Sequence, residues 1–326
     1  MPPQNPAVAK NFDVSTFRLF DVSPEPQLSS RPRGPAPPPS RQRPRTCSIM
    51  PPTKGGGRMA DALQDPRVHA NLLILEIGNS HVSVATSIGP SVRTEQRFAL
   101  DQAHEVVAYC ETAWAALPED HLRAMAAASV VPDALESLRQ RIEEALGDKM
   151  MVVGEDLQRP MSLAVEEPEM VGIDRVCAAA AAYDGAQSAC AIASFGTAIT
   201  IDCVNGEGVF MGGAILPGLR LQARSLHEGT AALPQVEVIA TGSTYGASTQ
   251  DAISNGILYG AVGALREIVE RYATELGNWP LLIATGGAAE LVGSQCDFID
   301  RTVPDLCIRG IGLAYRKHFT PLPESW

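Results

Sequence analysis

One local plan occurs twice in this chain of 326 residues, and nothing else in it constrains the fold as tightly. In the first half an apolar run, Leu72 to Leu75, ends in Glu76-Ile77-Gly78-Asn79-Ser80. In the second half an apolar strand at about 189–194 ends in Ser194-Phe195-Gly196-Thr197, within SFGTAIT. Each turn is followed by more strand-like segments, at about 82–87 and 93–98 and again at about 198–204 and 208–214. Small residues at a strand end let backbone N–H groups approach a ligand closely. Hydroxyls and amides add donors to phosphate oxygens, and a carboxylate such as Glu76 holds a divalent ion directly or through its waters. A third strand, Leu281 to Ala284, runs into Thr285-Gly286-Gly287, where a nucleoside can lie against a helix start.

Taken singly, a Gly-Asn-Ser turn is more often an ordinary hairpin turn than a phosphate site. Three such turns in order, spread over two similar halves, predict two α/β lobes with ATP in the cleft between them. No GxxxxGK[ST] occurs, and no GxGxxG follows the first strand, which argues against P-loop and dinucleotide folds. The remaining periodicity predicts helices at about 102–116, 133–146, 173–184, 218–228, 248–275 and 309–318. Further strands are predicted at 124–131, closed by Pro132, at 150–153 and near 297–300. The lobes divide at about 69–170 and 171–326.

The N-terminal stretch is of another kind. Thirteen of the 25 Pro precede Met59, and RPRGPAPPPSRQRPR at 31–45 is rich in Pro and Arg. Such a composition buries no core, so residues 1–68 are expected to form a disordered tail, or else to reflect a start placed ahead of Met59. Residues 1–58 carry nine Lys or Arg and three Asp or Glu, about +6, so the whole-chain charge of −11 leaves about −17 for the body. An acidic body argues against nucleic acid as the main ligand and leaves only the basic tail suited to one. No stretch approaches the roughly 18 apolar residues of a membrane span. The seven Cys show no CxxC pair, as expected of reduced thiols in a cytoplasmic protein.

Chemistry is offered at EMVGIDRVCAA, 169–179, where Asp174 and Arg175 open a helix. Alone, such an Asp is a residue favoured by the helix dipole. With Arg175 beside it, the acid can accept a hydroxyl proton while the guanidinium fixes another substrate oxygen. His81 reads as an exposed turn residue that can also touch phosphate. His227 reads as a helix C-terminal residue. The Ala run at 178–182 reads as close helix packing, with a dimer interface as one place for it.

These segments resemble the type III pantothenate kinases, members of the superfamily that includes acetate and sugar kinases, heat-shock chaperones and actin. LEIGNS is similar to the family's Asp-x-Gly-Asn-Thr, ASVVP at 128–132 to its Ser-Val-Val-Pro, and GIDR at 172–175 to its Gly-x-Asp-Arg. SFGTA at 194–198 is similar to Asp-x-Gly-Thr-Ala, and GGAILPGL at 212–219 to Gly-Gly-x-Ile-x-Pro-Gly. GASTQDAISNG at 246–256 and ATGG at 284–287 complete the order. The resemblance covers about 72–318. It implies two ribonuclease-H-like lobes of the actin-like ATPase fold and ATP-dependent phosphorylation of pantothenate, the first step of coenzyme A synthesis. It also implies Mg²⁺ with ATP, a monovalent cation (K⁺ or NH₄⁺) and a homodimer. By position it makes Asp174 the catalytic base. ATP contacts are implied for Glu76, Ile77, Gly78, Asn79, Ser80, His81, Val82, Ser83, Gly196, Thr197, Gly286 and Gly287. Substrate contacts are implied for Val165, Gly172, Ile173, Asp174, Arg175 and Thr249.

Three positions depart from the family pattern. Glu76 replaces Asp, keeping the charge on a longer arm. Ser194 replaces the Asp of the monovalent-cation position, and a neutral hydroxyl attracts K⁺ less than a carboxylate does. Val165 stands where a Tyr is usual beside the substrate. Two alternatives accompany the kinase: a catalytically impaired relative acting as a nucleotide-binding regulatory protein, and a kinase for another small hydroxy acid.

Overall fold

The structure, a computed structural model, describes residues 65–89 and 91–320. The tail expected over 1–68 lies outside the described residues except at 65–68. There Pro66–His69 forms a 3₁₀ turn capped by Asp65, and the Arg67 guanidinium sits 4.2 Å from the centre of the Phe319 ring.

The first sheet is built from β1 (Asn71–Ile77), β2 (His81–Ile88), β3 (Ser91–Ala99), β4 (Arg123–Ser129) and β5 (Met150–Val152). Their order is β3-β2-β1-β4-β5; β1 to β3 form an antiparallel meander, and β4 and β5 run parallel to β1. Strand β1 is central and buried on both faces, which is why its sequence is an apolar run rather than an alternation. Helices α1 (Ala103–Ala116) and α2 (Pro132–Leu146) make the crossovers. Pro132 opens α2 at a position where its missing N–H costs nothing.

Helix α3 (Ile173–Ala186) leads into the second sheet: β6 (Cys190–Phe195), β7 (Ala198–Val204), β8 (Phe210–Pro217), β9 (Leu281–Thr285) and β10 (Arg301–Thr302). The order β8-β7-β6-β9-β10, with an antiparallel meander and parallel β9 and β10, repeats the first sheet strand for strand. Helices α4 (Leu219–Glu228), α5 (Thr249–Leu276), α6 (Ala289–Gly293) and α7 (Leu306–Phe319) complete the chain.

The layers run helix, sheet, helix, sheet, helix. Val106, Cys110, Leu138 and Ile142 of α1 and α2 cover the outer face of the first sheet. Leu219, Ala223, Ile257 and Leu265 of α4 and α5 cover that of the second. Between the sheets lie α7, packed on Leu72, Ile74 and Ala126, and α3, whose Ala178, Ala179 and Ala182 pack on Ile192, Val204 and Phe210. The alanine run is therefore buried inside the chain. A side chain at Gly310 would strike the Cys177 carbonyl, so a residue without a Cβ lets α3 and α7 cross closely. This is the expected α/β fold of two ribonuclease-H-like lobes.

Two local expectations fail and one helix was not anticipated. Helix α6, five residues long, is too short to leave a periodic signal. The last strand is Arg301–Thr302 rather than 297–300. Helix α7 begins at Leu306 rather than 309, behind Asp305, which holds a left-handed backbone (φ 59°) that few non-glycine residues adopt.

Candidate active site

The equivalent strand ends β1 and β6 place their turns face to face. In the first, Gly78 N–H donates to His81 O at 2.9 Å; in the second, Gly196 N–H donates to Ala198 O at 3.0 Å. The Ser80 and Thr197 hydroxyls meet across the lobes at 2.9 Å. Gly286 follows β9 with φ 92°, and a Cβ there would lie 2.7 Å from Phe195 O, so the third Gly-rich turn packs directly on the second. The turns enclose a cleft of about 220 Å³.

Asp174 and Arg175 line this cleft from the first turn of α3. The Asp174 carboxylate accepts the Arg175 backbone N–H at 2.9 Å. Burial raises its pKa above the ordinary carboxylate value, only partly offset by that hydrogen bond and the Arg175 charge. A raised value brings a carboxylate closer to the pH at which it can take and release a proton. Arg175 reaches across to β7, where its Nε and terminal nitrogen meet Asp202 Oδ1 at 3.0 and 2.5 Å. The Asp202 side chain is 2% exposed. Gly213 of β8 lies opposite, and any larger residue there would overlap the Asp202 carboxylate. The guanidinium is thus held by a buried two-point pair.

Glu76 faces the same cleft from β1. Burial raises its pKa, the Arg97 charge opposes this and the Asp174 charge adds to it. Arg97 and Asp305 also line the cleft, with the guanidinium 3.7 Å from Asp305 Oδ1. His81 opens β2, exposed at the cleft; burial and then the charges of Arg97 and Arg220 hold its pKa below the ordinary value.

The structure brings together Glu76, Gly78, Asn79, Ser80, His81, Ser83, Asp174, Arg175, Ser194, Gly196, Thr197, Gly286 and Gly287. Ile77 and Val82 point into the first lobe's core, leaving only their backbones for a ligand. Gly172 caps α3, and Ile173 packs on the core between the sheets. Val165 packs beside Phe210 and Gly212, away from the cleft lining. Thr249 opens α5 and lines a separate groove with Pro217, Leu226 and Leu233. Arg97, Asp202 and Asp305 are cleft residues that the sequence reading did not single out. For Asp202 a signal existed: in a strand, Thr200 and Asp202 share one face.

Among the described residues no three His, Cys, Asp or Glu side chains converge to cage a metal. A single hard carboxylate, Glu76, beside hydroxyl turns suits a divalent ion carried in by nucleotide phosphates. The monovalent-cation position fits less well. Ser194 has hydroxyls as its register neighbours, Thr200 and Thr285, and the carboxylate on β7 is committed to Arg175. The pairing of Asp202 with Arg175 weakens the pull of the one carboxylate on β6 and β7 for K⁺.

Paired lobes, hydroxyl turns meeting over a cleft and a buried acid beside a fixed guanidinium define a phosphotransferase of the actin-like fold. The chain belongs, more narrowly, to the type III pantothenate kinase family, whose sequence model matches residues 72–271. It is 31% identical over 257 residues to the type III pantothenate kinase of Syntrophotalea carbinolica, spanning 76% of this chain and 99% of that relative. The Moorella thermoacetica enzyme of the same name is 29% identical over 252 residues, with the same coverage. A solved structure described as a conserved putative Baf family transcriptional activator from Campylobacter jejuni is 19% identical. It covers 75% of this chain and 98% of its own, with a TM-score of 0.48.

Proposed function

We propose that the protein transfers the γ-phosphoryl group of ATP to pantothenate, giving 4′-phosphopantothenate and ADP, with the chemistry in the inter-lobe cleft. The observation that carries this reading is the meeting of the Ser80 and Thr197 turns above Asp174 and Arg175. Backbone and hydroxyl donors of residues 78–83 and 196–197 hold the triphosphate, and Gly286-Gly287 carry the nucleoside. Mg²⁺ bound with ATP, held on the protein side by Glu76, supplies charge neutralisation of the phosphates. Arg175, fixed by Asp202, orients the substrate. The substrate hydroxyl oxygen bonds to the γ-phosphorus as the bond to the bridging oxygen breaks, and Asp174 accepts the hydroxyl proton.

The protein is proposed to work in the cytoplasm as a homodimer. Met211 and Ile215 on β8, Leu226 on α4, Tyr245, and Tyr259 on α5 are all exposed, on the elements that surround Thr249. Large exposed apolar groups on neighbouring elements mark an interaction surface. Covering that surface would bring Thr249 and Val165, neither of which lines the Asp174 cleft within one chain, into play as substrate contacts. The test is ADP release with pantothenate and Mg²⁺. Wild type turns over, and Asp174→Asn loses about 10²- to 10⁴-fold in kcat while still binding Mg·ATP. Binding of ATP by wild type without pantothenate-dependent ADP release would instead favour a regulatory role.

A further inference from the structure

The charge balance of the cleft leaves one residue unaccounted for. Four carboxylates line it, Glu76, Asp174, Asp202 and Asp305, against two guanidiniums, Arg97 and Arg175. A site so composed repels a triphosphate unless cations face it. Arg175 is the less available of the two, because its Nε and one of its terminal nitrogens are committed to the buried Asp202. Burial and then the charges of Arg97 and Arg220 disfavour a positive charge on His81.

Arg97 has no such commitment. It stands on β3 opposite Ser83 of the first phosphate turn's strand, and its Nε donates to Ser83 Oγ over a long 3.4 Å. One terminal nitrogen is 3.7 Å from Asp305 Oδ1, beyond hydrogen-bond range. The other points at the second lobe, 3.7 Å from where a Cβ on Gly287 would stand. The side chain is 46% exposed. A loose pair of this exposure contributes little to stability. The guanidinium therefore spans from the first lobe to the nucleoside turn of the second with both terminal nitrogens free of hydrogen bonds among the described residues. Its ion-pair partner among the described residues, Asp305, sits in a left-handed backbone at the start of α7, the kind of backbone strain that gathers at ligand sites.

We propose that Arg97 is the phosphate-binding cation of the cleft: with nucleotide bound, its terminal N–H groups donate to triphosphate oxygens between the two lobes. The contact joins β3 to the Gly286-Gly287 turn across the nucleotide and neutralises charge that builds on the departing diphosphate. This deepens the kinase reading and rests on it for the reaction, though not for nucleotide binding.

The test compares wild type, Arg97→Gln and Arg97→Lys in the full chain. Mg·ATP and Mg·ADP binding is measured by calorimetry, and initial rates are measured with ATP and pantothenate varied separately. Arg97→Gln is expected to lose about 10- to 100-fold in ATP affinity and in kcat/KM for ATP, the worth of a charge-assisted hydrogen bond. KM for pantothenate and Tm should stay near wild type. Arg97→Lys should recover part of the loss as a point charge without the fork, and guanidinium ion added to Arg97→Gln should restore part of it. ATP affinity within twofold of wild type in a folded Arg97→Gln overturns the proposal, as does a loss confined to pantothenate. If Arg97→Gln does not fold, Arg97→Lys decides by the same binding ratio, with a loss of less than twofold counting against the proposal. Wild-type protein that binds Mg·ATP but leaves pantothenate unphosphorylated defeats the kinase reading alone; the calorimetric comparison then judges Arg97 by itself.

Discussion

The two lobes share a strand order and a small-residue turn at the end of the central strand, but they place their acids differently. In the first lobe the carboxylate is on the central strand: Glu76 on β1, unpaired by any arginine at hydrogen-bond distance and facing the cleft. In the second lobe the same place on β6 is Ser194, and the carboxylate is one strand over, Asp202 on β7, closed on Arg175. The first arrangement leaves an oxygen for a metal. The second spends its carboxylate on holding the Arg175 guanidinium at the cleft. On the proposed reading, one architecture used twice shares the nucleotide between its turns and divides its acids: Glu76 faces the metal-bound phosphates, while Asp202 holds Arg175 for the substrate.

The largest effect is expected from breaking the second lobe's arrangement. Asp202→Asn leaves a buried guanidinium without its counter-charge, a change that costs about 3–5 kcal/mol. Denaturant unfolding should register this loss. Surviving enzyme should show a raised KM for pantothenate with ATP binding little changed. A loss of ATP affinity instead would mean that the two acids are not divided in this way.

The acid limb of the pH profile sharpens the same comparison. Burial raises Asp174 above its ordinary 3.8. The base form exists above the raised value and is lost as pH falls through it, so the limb in kcat lies above 3.8 and drops about tenfold per unit below the raised value. A limb at or below 3.8 would remove Asp174 from the role of base.

The smallest effect concerns Ser194. With the nearby carboxylate of Asp202 paired to Arg175, a monovalent cation should matter little, and turnover in K⁺ and Na⁺ should agree within about twofold, given the weak pull of a neutral hydroxyl. Ser194→Asp, which restores an anionic oxygen at the end of β6, should open a difference between the two salts. Strong K⁺ dependence in the wild type would show that hydroxyls alone hold the ion.

The features legible in the sequence were those that repeat or that carry their reason locally. LEIGNS and SFGTA combine a strand end, a glycine and hydroxyls within a few residues, and GIDR marks a helix start with an acid and an arginine together. The features that stayed hidden depend on distant partners. Arg97 reads as one polar residue in a strand until β3 is seen opposite Ser83 and near Gly287. The Arg175–Asp202 pair joins residues 27 apart on different elements. The early start of α7 follows from an αL residue at Asp305, which the general aversion of non-glycine residues to that backbone does not foretell. Thr249 and Val165 are motif positions that lie outside the cleft lining, so their use rests on the proposed dimer.

The most direct measurement of the central claim is a crystal structure with Mg²⁺, a non-hydrolysable ATP analogue and pantothenate. The account predicts the triphosphate between the turns, with the Ser80–Thr197 contact replaced by contacts to phosphate, and the substrate hydroxyl about 3 Å from Asp174. A nucleotide bound elsewhere, or turns still bonded to one another with the ligands present, would contradict it.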